Sequence, residues 1–366
     1  MHRFCHASRV PAQAAPPSDV RRRRRRAGIL AAGALTAPTV LLALAPPAGA
    51  EEAPAASSAA PTGSIYCTIT DPRLAELSGL VVLGDTMLAI ADGGDELSVL
   101  VLDKGCTVTD VRTAPVDPYD PEDLAVSADG TIWVADTGDN DGDRPTVALH
   151  ALRADGSAAL YRLSYPDGPH DAEALLLAPG GTPYLVTKEV LGASRVYRPA
   201  ADLVDGGTVA LEQVATVNLT LTGTPGGPVG RAGQLMVTGG AVSGDGRLMA
   251  LRTYTDAYLW PLTGSDLPTA LKAKPIRVPL PESPQGEAIS FGSDDRGVVI
   301  ASEGTPNAVV IVPTEKPLAP VAEKLAAPED STTGVLDGER SPITSGIIAA
   351  AVATVVVWLG GLLRRR

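Results

Sequence analysis

One pattern recurs along this chain: an acidic residue opens a short apolar strand, a Gly or Asp turn follows, and a second apolar strand ends in a polar cluster. Pro121-Glu122-Asp123-Leu124-Ala125 passes through Ala128-Asp129-Gly130 to Thr131-Ile132-Trp133-Val134-Ala135-Asp136. Asp171-Ala172-Glu173-Ala174-Leu175 passes through Pro179-Gly180-Gly181 to Tyr184-Leu185-Val186-Thr187-Lys188-Glu189. Gly286-Glu287-Ala288-Ile289-Ser290 passes through Asp294-Asp295 to Val298-Val299-Ile300-Ala301-Ser302-Glu303. Strand-like units repeating at roughly 40–50 residues are the mark of a β-propeller, in which no unit can bury its apolar faces alone. The expected fold is therefore all-β.

Turn residues and alternating apolar runs divide the body into units of four short strands. The first spans Ser78 to Thr113, the second Asp123 to Ser164, the third Ala174 to Leu221 and the fourth Gly240 to Leu280. The fifth, Ala288 to Val312, has only three strands, whereas Ser64 to Thr70 is a strand without a unit. If that strand completes the fifth unit, the ring closes and no sheet edge is left open. Five blades are favoured, and a sixth fits only in 200–238, where Gly and Pro are dense.

The ends have a different character. Residues 1–50 read as an export signal, with Arg21 to Arg26 as the positive region, Gly28 to Leu44 as the apolar run and Ala48-Gly49-Ala50 as the cleavage site. Ile343 to Leu363 is 21 residues without a charge, enough to span about 30 Å of hydrocarbon as a helix. Arg364-Arg365-Arg366 follows it, and the positive-inside rule puts that tail in the cytoplasm. The expected organisation is a signal over 1–50, a linker over 51–63, a propeller over 64–313, a Pro-rich stalk over 314–342, a transmembrane helix over 343–363 and a tail over 364–366. That is a single-pass protein of the cell membrane with its propeller on the extracellular side.

Eight of the 30 Lys and Arg lie in the first 50 residues and three at the end, against one of the 42 Asp and Glu. The part between carries 19 basic and 41 acidic residues, a formal charge of −22. Such a body has no basic patch for nucleic acid and suits a cation, a basic protein or a cell-envelope ligand. Cys67 and Cys106 remain after cleavage, an even number in an oxidising compartment, and are expected to form a disulfide.

Successive strands of a meander alternate in direction, so the start of each first strand and the end of each second strand share one side. Glu122, Glu173 and Glu287 then ring the channel mouth with Asp92, Lys188, Arg252 and Glu303, and Thr238 with Arg252 marks the fourth unit as divergent. The densest acidic run, Asp136-Thr137-Gly138-Asp139-Asn140-Asp141-Gly142-Asp143, offers oxygen ligands at alternating positions. Asp136, Asp139, Asp141 and Asp143 are the candidate ligands for Ca²⁺, although the spacing is not that of an EF-hand. No G-x-S-x-G elbow and no Gly-Lys of a phosphate-binding loop occurs, and no catalytic residue is assigned. His170-Asp171 beside Glu173 reads as a loop entering a blade.

Leu77-Ser78-Gly79-Leu80, Glu122-Asp123-Leu124-Ala125, Asp136-Thr137-Gly138-Asp139-Asn140, Tyr165 to Leu175, Leu251-Arg252-Thr253-Tyr254-Thr255 and Gln285-Gly286-Glu287-Ala288 resemble a group of exported actinobacterial propeller proteins without assigned function. Over residues 64–313 that group is similar, more loosely, to phytase-like and NHL-type propellers. The phytase-like resemblance implies calcium and phosphoester chemistry, but the ligands of those enzymes do not match residue by residue here. The expected function is a membrane-anchored extracellular module that binds through an acidic face and is stabilised by calcium. The alternative is a metal-dependent hydrolase of phosphoesterase or lactonase type.

Overall fold

A computed structural model describes residues 63–314, position 296 excepted. The signal over 1–50, the linker, the stalk, the membrane segment over 343–363 and the Arg tail lie outside the described residues. Among the described residues no helix is long and apolar enough to cross a membrane.

Among the described residues twenty strands form five antiparallel blades of four. β1 (Ser64–Ile69) precedes the first sheet, β2 (Leu77–Leu83), β3 (Thr86–Ala91), β4 (Leu97–Leu102) and β5 (Val108–Ala114). The second holds β6 (Pro121–Val126), β7 (Ile132–Asp136), β8 (Val147–Leu152) and β9 (Ala158–Ser164). In the third are β10 (Ala172–Leu177), β11 (Pro183–Thr187), β12 (Ala193–Pro199) and β13 (Thr208–Asn218). The fourth comprises β14 (Val237–Val242), β15 (Leu248–Thr253), β16 (Asp256–Pro261) and β17 (Ile276–Pro279). β18 (Gly286–Phe291), β19 (Gly297–Ser302) and β20 (Asn307–Pro313) make the fifth with β1, in the order β1-β20-β19-β18.

The first strands pack in a ring, β2 on β6, β6 on β10, β10 on β14, β14 on β18 and β18 on β2. This is the radial arrangement of a propeller. No sixth sheet forms in 200–238: β13 ends at Asn218, and residues 219–236 cross without a strand to the start of β14.

Period-2 alternation builds the cores between blades, because each strand feeds two of them. On β16, Tyr258 and Trp260 face the third blade, while Ala257 and Leu259 face the fifth. Val299 and Ala301 of β19 face the first blade, and Val298 and Ile300 the fourth. Five apolar clusters result, one between each pair of neighbouring blades. With so few aromatics, Leu, Val, Ile and Ala fill them at close packing.

A ring of five leaves little room at the axis. A Cβ added at Gly79 would stand 2.7 Å from Leu124 Cδ2, and one at Gly239 would overlap the Glu287 carbonyl oxygen. Small residues on the inner strands are therefore a packing requirement. Asp123, wholly buried, draws three of these strands together. Its carboxylate accepts from the amides of Leu124 (2.8 Å), Leu175 (2.8 Å) and Gly240 (3.1 Å). Burial pushes its pKa up to about 8 even though those three donors favour the ionised form.

Two links secure the outer edges. β1 pairs with β20, the first described strand with the last, and the Cys67–Cys106 disulfide ties β1 to the β4–β5 turn of the first blade. β13 runs parallel to β9 through Thr208–Arg162, Val209–Leu163 and Ala210–Ser164. The second and third blades thus form one continuous eight-stranded sheet, leaving no open edge between them.

Candidate functional site

The inner strands share a local irregularity. Register shifts fall between Leu77 and Gly79, Pro121 and Asp123, Ala172 and Ala174, Val237 and Gly239, and Gly286 and Ile289. A bulge re-aims the residue it contains. The residues at this place are Ser78, Glu122, Glu173, Thr238 and Glu287. Four of them, all but Thr238, line a single cavity of about 570 Å³. Thr238 is buried beside it and donates its hydroxyl to the Gly286 carbonyl at 2.8 Å.

Strand register also decides which residues at the ends of the second strands reach the cavity. Ala91, Asp136, Thr187, Thr253 and Ser302 are the partners of the first strands' leading residues. The next residues are Asp92, Thr137, Lys188, Tyr254 and Glu303, and all of these except Thr137 line the cavity. Asp120, Asn140, Asp171 and Gln285 complete its polar wall. Val190, Pro228, Val229 and Met236 form an apolar one.

Of the residues expected at the channel mouth, Glu122, Glu173, Glu287, Asp92, Lys188 and Glu303 are therefore together. Arg252 is not among them. It lies two residues before the cavity position of its strand, pairs with Gly239 inside the sheet and is fully buried. Its guanidinium donates to the carbonyls of Ala288 (2.7 Å), Ala301 (3.1 Å) and Thr253 (3.2 Å). Arg252 thus joins the fourth and fifth blades, and Tyr254 holds the place that was expected for it.

The run expected to hold calcium is placed otherwise. Asp136 is one residue short of the cavity position and turns into the blade. It meets Arg144 at 2.8 Å and His150 at 3.2 Å, and accepts from the amides of Tyr119 and Asp120, each at 3.0 Å. Burial raises its pKa, but the His150 bond, the two amides and Arg144 outweigh burial and bring it to about 2. Asp139 accepts from the amides of Asp143 (3.0 Å) and Arg144 (3.1 Å), an Asx-type loop closure. Asp141 and Asp143 are exposed. These four carboxylates do not converge, so the expected calcium loop is a hydrogen-bonded turn.

Carboxylates converge instead at Glu122, Asp171 and Glu173. One oxygen of each lies within 4.8 Å of the others, the one such group among the described residues. Ser78 Oγ steadies Glu122 from 3.1 Å, and the Asp139 amide holds Asp171 at 3.0 Å. Lys188 Nζ grips Glu173 Oε1, while Glu173 Oε2 is buried without a hydrogen-bond partner among the described residues. Gly138 lies flat against the group. A methyl at its Cα would overlap Glu122 Oε1 and the Asp120 carboxylate.

Crowding of buried acids disfavours their charge. Burial, then the Glu173, Asp120 and Asp171 charges, push Glu122 well above the usual carboxylate range. Burial and Glu287 do the same to Glu173 against the pull of Lys188. Glu287 rises to about 7 and Asp120 to about 6, burial being the largest cause for both. Lys188 is pushed up: burial opposes its charge, but the facing Glu173 and Glu287 outweigh burial. It stays an ammonium at neutral pH.

Asp171 was expected in a plain loop, and its closeness to Glu173 in sequence was the visible signal. Asp120, Ser78, Tyr254 and Gln285 gave none, since their roles follow from strand register.

No protein-family model and no curated protein matches this chain. Solved structures similar to it include a gluconolactonase from Xanthomonas campestris (16% identity, 65% of this chain and 72% of that one, TM-score 0.39). Others are virginiamycin B lyase from Staphylococcus aureus (12%, 68% and 73%, 0.33) and the PQQ-bound aldose sugar dehydrogenase from Streptomyces coelicolor (11%, 69% and 99%, 0.37). At such values the likeness carries no chemistry over to this chain. The geometry corrects the expectation of a module that binds through an acidic face. Glu122, Glu173 and Glu287 are 7%, 3% and 5% exposed. They form no face. They are walls of a cavity, and one Glu173 oxygen is buried without a hydrogen-bond partner among the described residues.

Proposed function

We propose that this protein is a metal-dependent hydrolase of carboxylic esters or lactones, with its centre at Glu122, Asp171 and Glu173. The observation that carries the reading is the convergence of one oxygen from each of these three carboxylates, beside a Glu173 Oε2 that is buried without a hydrogen-bond partner among the described residues. A purely oxygen donor set suits a hard divalent cation, calcium or magnesium, rather than a thiophilic one.

A cation held there would polarise an acyl oxygen and make a bound water a better nucleophile. The chain's own groups then have these tasks. Glu287, also on the cavity wall, takes a proton from the attacking water as the new C–O bond forms. Lys188 donates a hydrogen bond to the charge that develops on the acyl oxygen. The proton on Glu287 returns to the leaving oxygen as the old C–O bond breaks, so water is consumed and an acid and an alcohol are released.

Charge favours acyl over phosphoryl substrates. The cavity has seven carboxylates, from Asp92, Asp120, Glu122, Asp171, Glu173, Glu287 and Glu303, against one lysine. A phosphate group would meet repulsion that a neutral ester does not. Residues 1–50 and 343–363 would place this centre outside the cell on a single membrane span, and a disulfide at Cys67–Cys106 suits that oxidising compartment.

The test is calorimetric titration of the metal-free chain with Ca²⁺, Mg²⁺, Mn²⁺ and Zn²⁺, followed by hydrolysis assays on esters and lactones. Binding of one hard cation, lost in Glu173→Gln, and cation-dependent hydrolysis are expected. No binding at millimolar cation would reject the reading.

A further inference from the structure

The cavity is two-sided. Its acids come from the first, second and fifth blades and from the Asp171–Lys188 part of the third. Its apolar wall comes from two neighbouring segments, the β11–β12 turn with Val190 and the 219–236 crossing with Pro228, Val229 and Met236. These segments support each other. The Leu219 amide donates to the Gly192 carbonyl at 2.7 Å, and a Cβ at Gly192 would come within 3.3 Å of Leu235 Cδ2.

The crossing is held from below by polar bonds. Gln234 Oε1 accepts from the amides of Thr222 (2.9 Å) and Gly223 (3.1 Å), and its Nε2 donates to the Thr224 carbonyl at 2.9 Å. Thr222 and Thr224 in turn donate their hydroxyls to the buried Asp256 carboxylate, each at 2.8 Å. The wall is thus a built surface. Yet it exposes apolar side chains to water: Val190 is 56% exposed, Val229 48% and Leu191, beside Val190, 85%. Such a cluster at the mouth of an otherwise acidic cavity has apolar area to bury only when something occupies it.

We propose that the substrate is a neutral ester or lactone with an aliphatic chain, whose chain lies on Val190, Val229 and Met236 while its acyl group faces the carboxylates. This rests on the hydrolase reading and adds the substrate class to it. A polyhydroxylated lactone would waste hydroxyls against that wall, since a desolvated hydroxyl without a partner loses its hydrogen bonds to water.

The experiment separates the two ideas. Binding of γ-lactams with side chains from methyl to octyl, unreactive stand-ins for the lactones, is measured by calorimetry on the cation-loaded full chain. Hydrolysis of the matching γ-lactones and of gluconolactone is measured in parallel. About 0.8 kcal/mol per buried methylene gives an expected gain in lactam affinity of about four-fold per added CH₂ until the wall is covered. Val229→Ser and Val190→Ser, at exposed positions that a polar residue suits, should each flatten the series. A lactam series without chain-length dependence overturns the inference, whatever the turnover. Chain-dependent lactam binding without hydrolysis of any lactone leaves the apolar subsite standing and sinks the hydrolase reading. Preference for gluconolactone over the alkyl series would do the reverse.

Discussion

Lys188 Nζ closes on one oxygen of Glu173 and leaves the other, Oε2, buried and without a partner among the described residues. A half-satisfied buried carboxylate is costly. The Lys188 ammonium, which also lies 5.6 Å from the centre of the Tyr254 ring, fixes the orientation of the carboxylate. Glu122 and Asp171 each present an oxygen within 4.8 Å of one from Glu173.

From this follows a thermal signature. A cation that binds only the folded chain stabilises it by about 2.7 kcal/mol at a hundred times its dissociation constant. For a domain of this size that is a rise in Tm of about 5–10 °C. Scanning calorimetry with and without millimolar Ca²⁺ or Mg²⁺ should show the rise in the unmutated chain and none in Glu173→Gln. An equal rise in the variant would remove Glu173 from the ligand set.

Acidity should act on the metal-free protein against the usual trend for carboxylates. Glu287 is raised to about 7 from an ordinary 4.5, Asp120 to about 6 from 3.8, and Glu122 and Glu173 also move upward. The folded chain therefore keeps protons that the unfolded chain has released, and unfolding stability falls as pH rises across that window. For Glu287 alone the loss between pH 4.5 and 7 is on the order of 3 kcal/mol. Urea midpoints of the chelator-treated chain should drop from pH 5 to pH 8, and a saturating divalent cation should restore the value at pH 8. A midpoint that climbs over this range in chelator would contradict the burial of these acids.

Gly138 offers a test by shape. No side chain fits there without displacing Glu122 and Asp120. Gly138→Ala should weaken the cation by at least ten-fold in calorimetric titration. The blades, whose cores lie elsewhere, should keep their strand content by circular dichroism. Unchanged affinity would mean that the Glu122 carboxylate is free to move away without consequence.

The blades were legible in the chain because each strand alternates between two apolar cores and each turn bears Gly, Asp or Pro. Strand ends such as Ala158–Ser164 and Gly297–Ser302 can be read directly from that pattern. The orphan strand at Ser64 and the unfinished fifth unit needed each other, and β1 with β20 met that need. What alternation does not reveal is a bulge, which leaves no mark on composition but shifts every residue behind it by one place. Arg252 was accordingly expected at the cavity, whereas Tyr254, two residues further along the chain, lines it. Asp171 was hidden for another reason. It precedes its strand, and only the fold around Asp139 brings its carboxylate back to Glu173.

The disulfide should matter for closure more than for chemistry. Cys67 and Cys106 are 39 residues apart and bind the closing strand to the first blade. A loop of that length is worth about 3–4 kcal/mol in the chain-entropy account. Cys67→Ser with Cys106→Ser should lower the urea midpoint accordingly. Cation affinity, measured well below the transition, should stay within about two-fold, because the ligands come from the second and third blades. A ten-fold loss would show that ring closure sets the spacing of the site.

Asp136 separates the two sets of acids that this chain offers to a cation. Its carboxyl is held at about 2 chiefly by His150, backbone amides and Arg144 against the cost of burial. A depressed acid contributes stability that is present above its ordinary value near 3.8 and is lost as pH falls toward 2. Asp136→Asn leaves Arg144 buried with its charge unpaired, a change that typically costs about 3–5 kcal/mol. The variant should thus unfold at lower urea and lose less of its remaining stability between pH 4 and 2. Its rise in Tm with cation should persist, since Asp136 places no oxygen among those of Glu122, Asp171 and Glu173. If Asp136→Asn abolished that rise while Glu173→Gln kept it, the metal would belong to the Asp136–Asp143 run, and the cavity would need another explanation for its unpaired carboxylate.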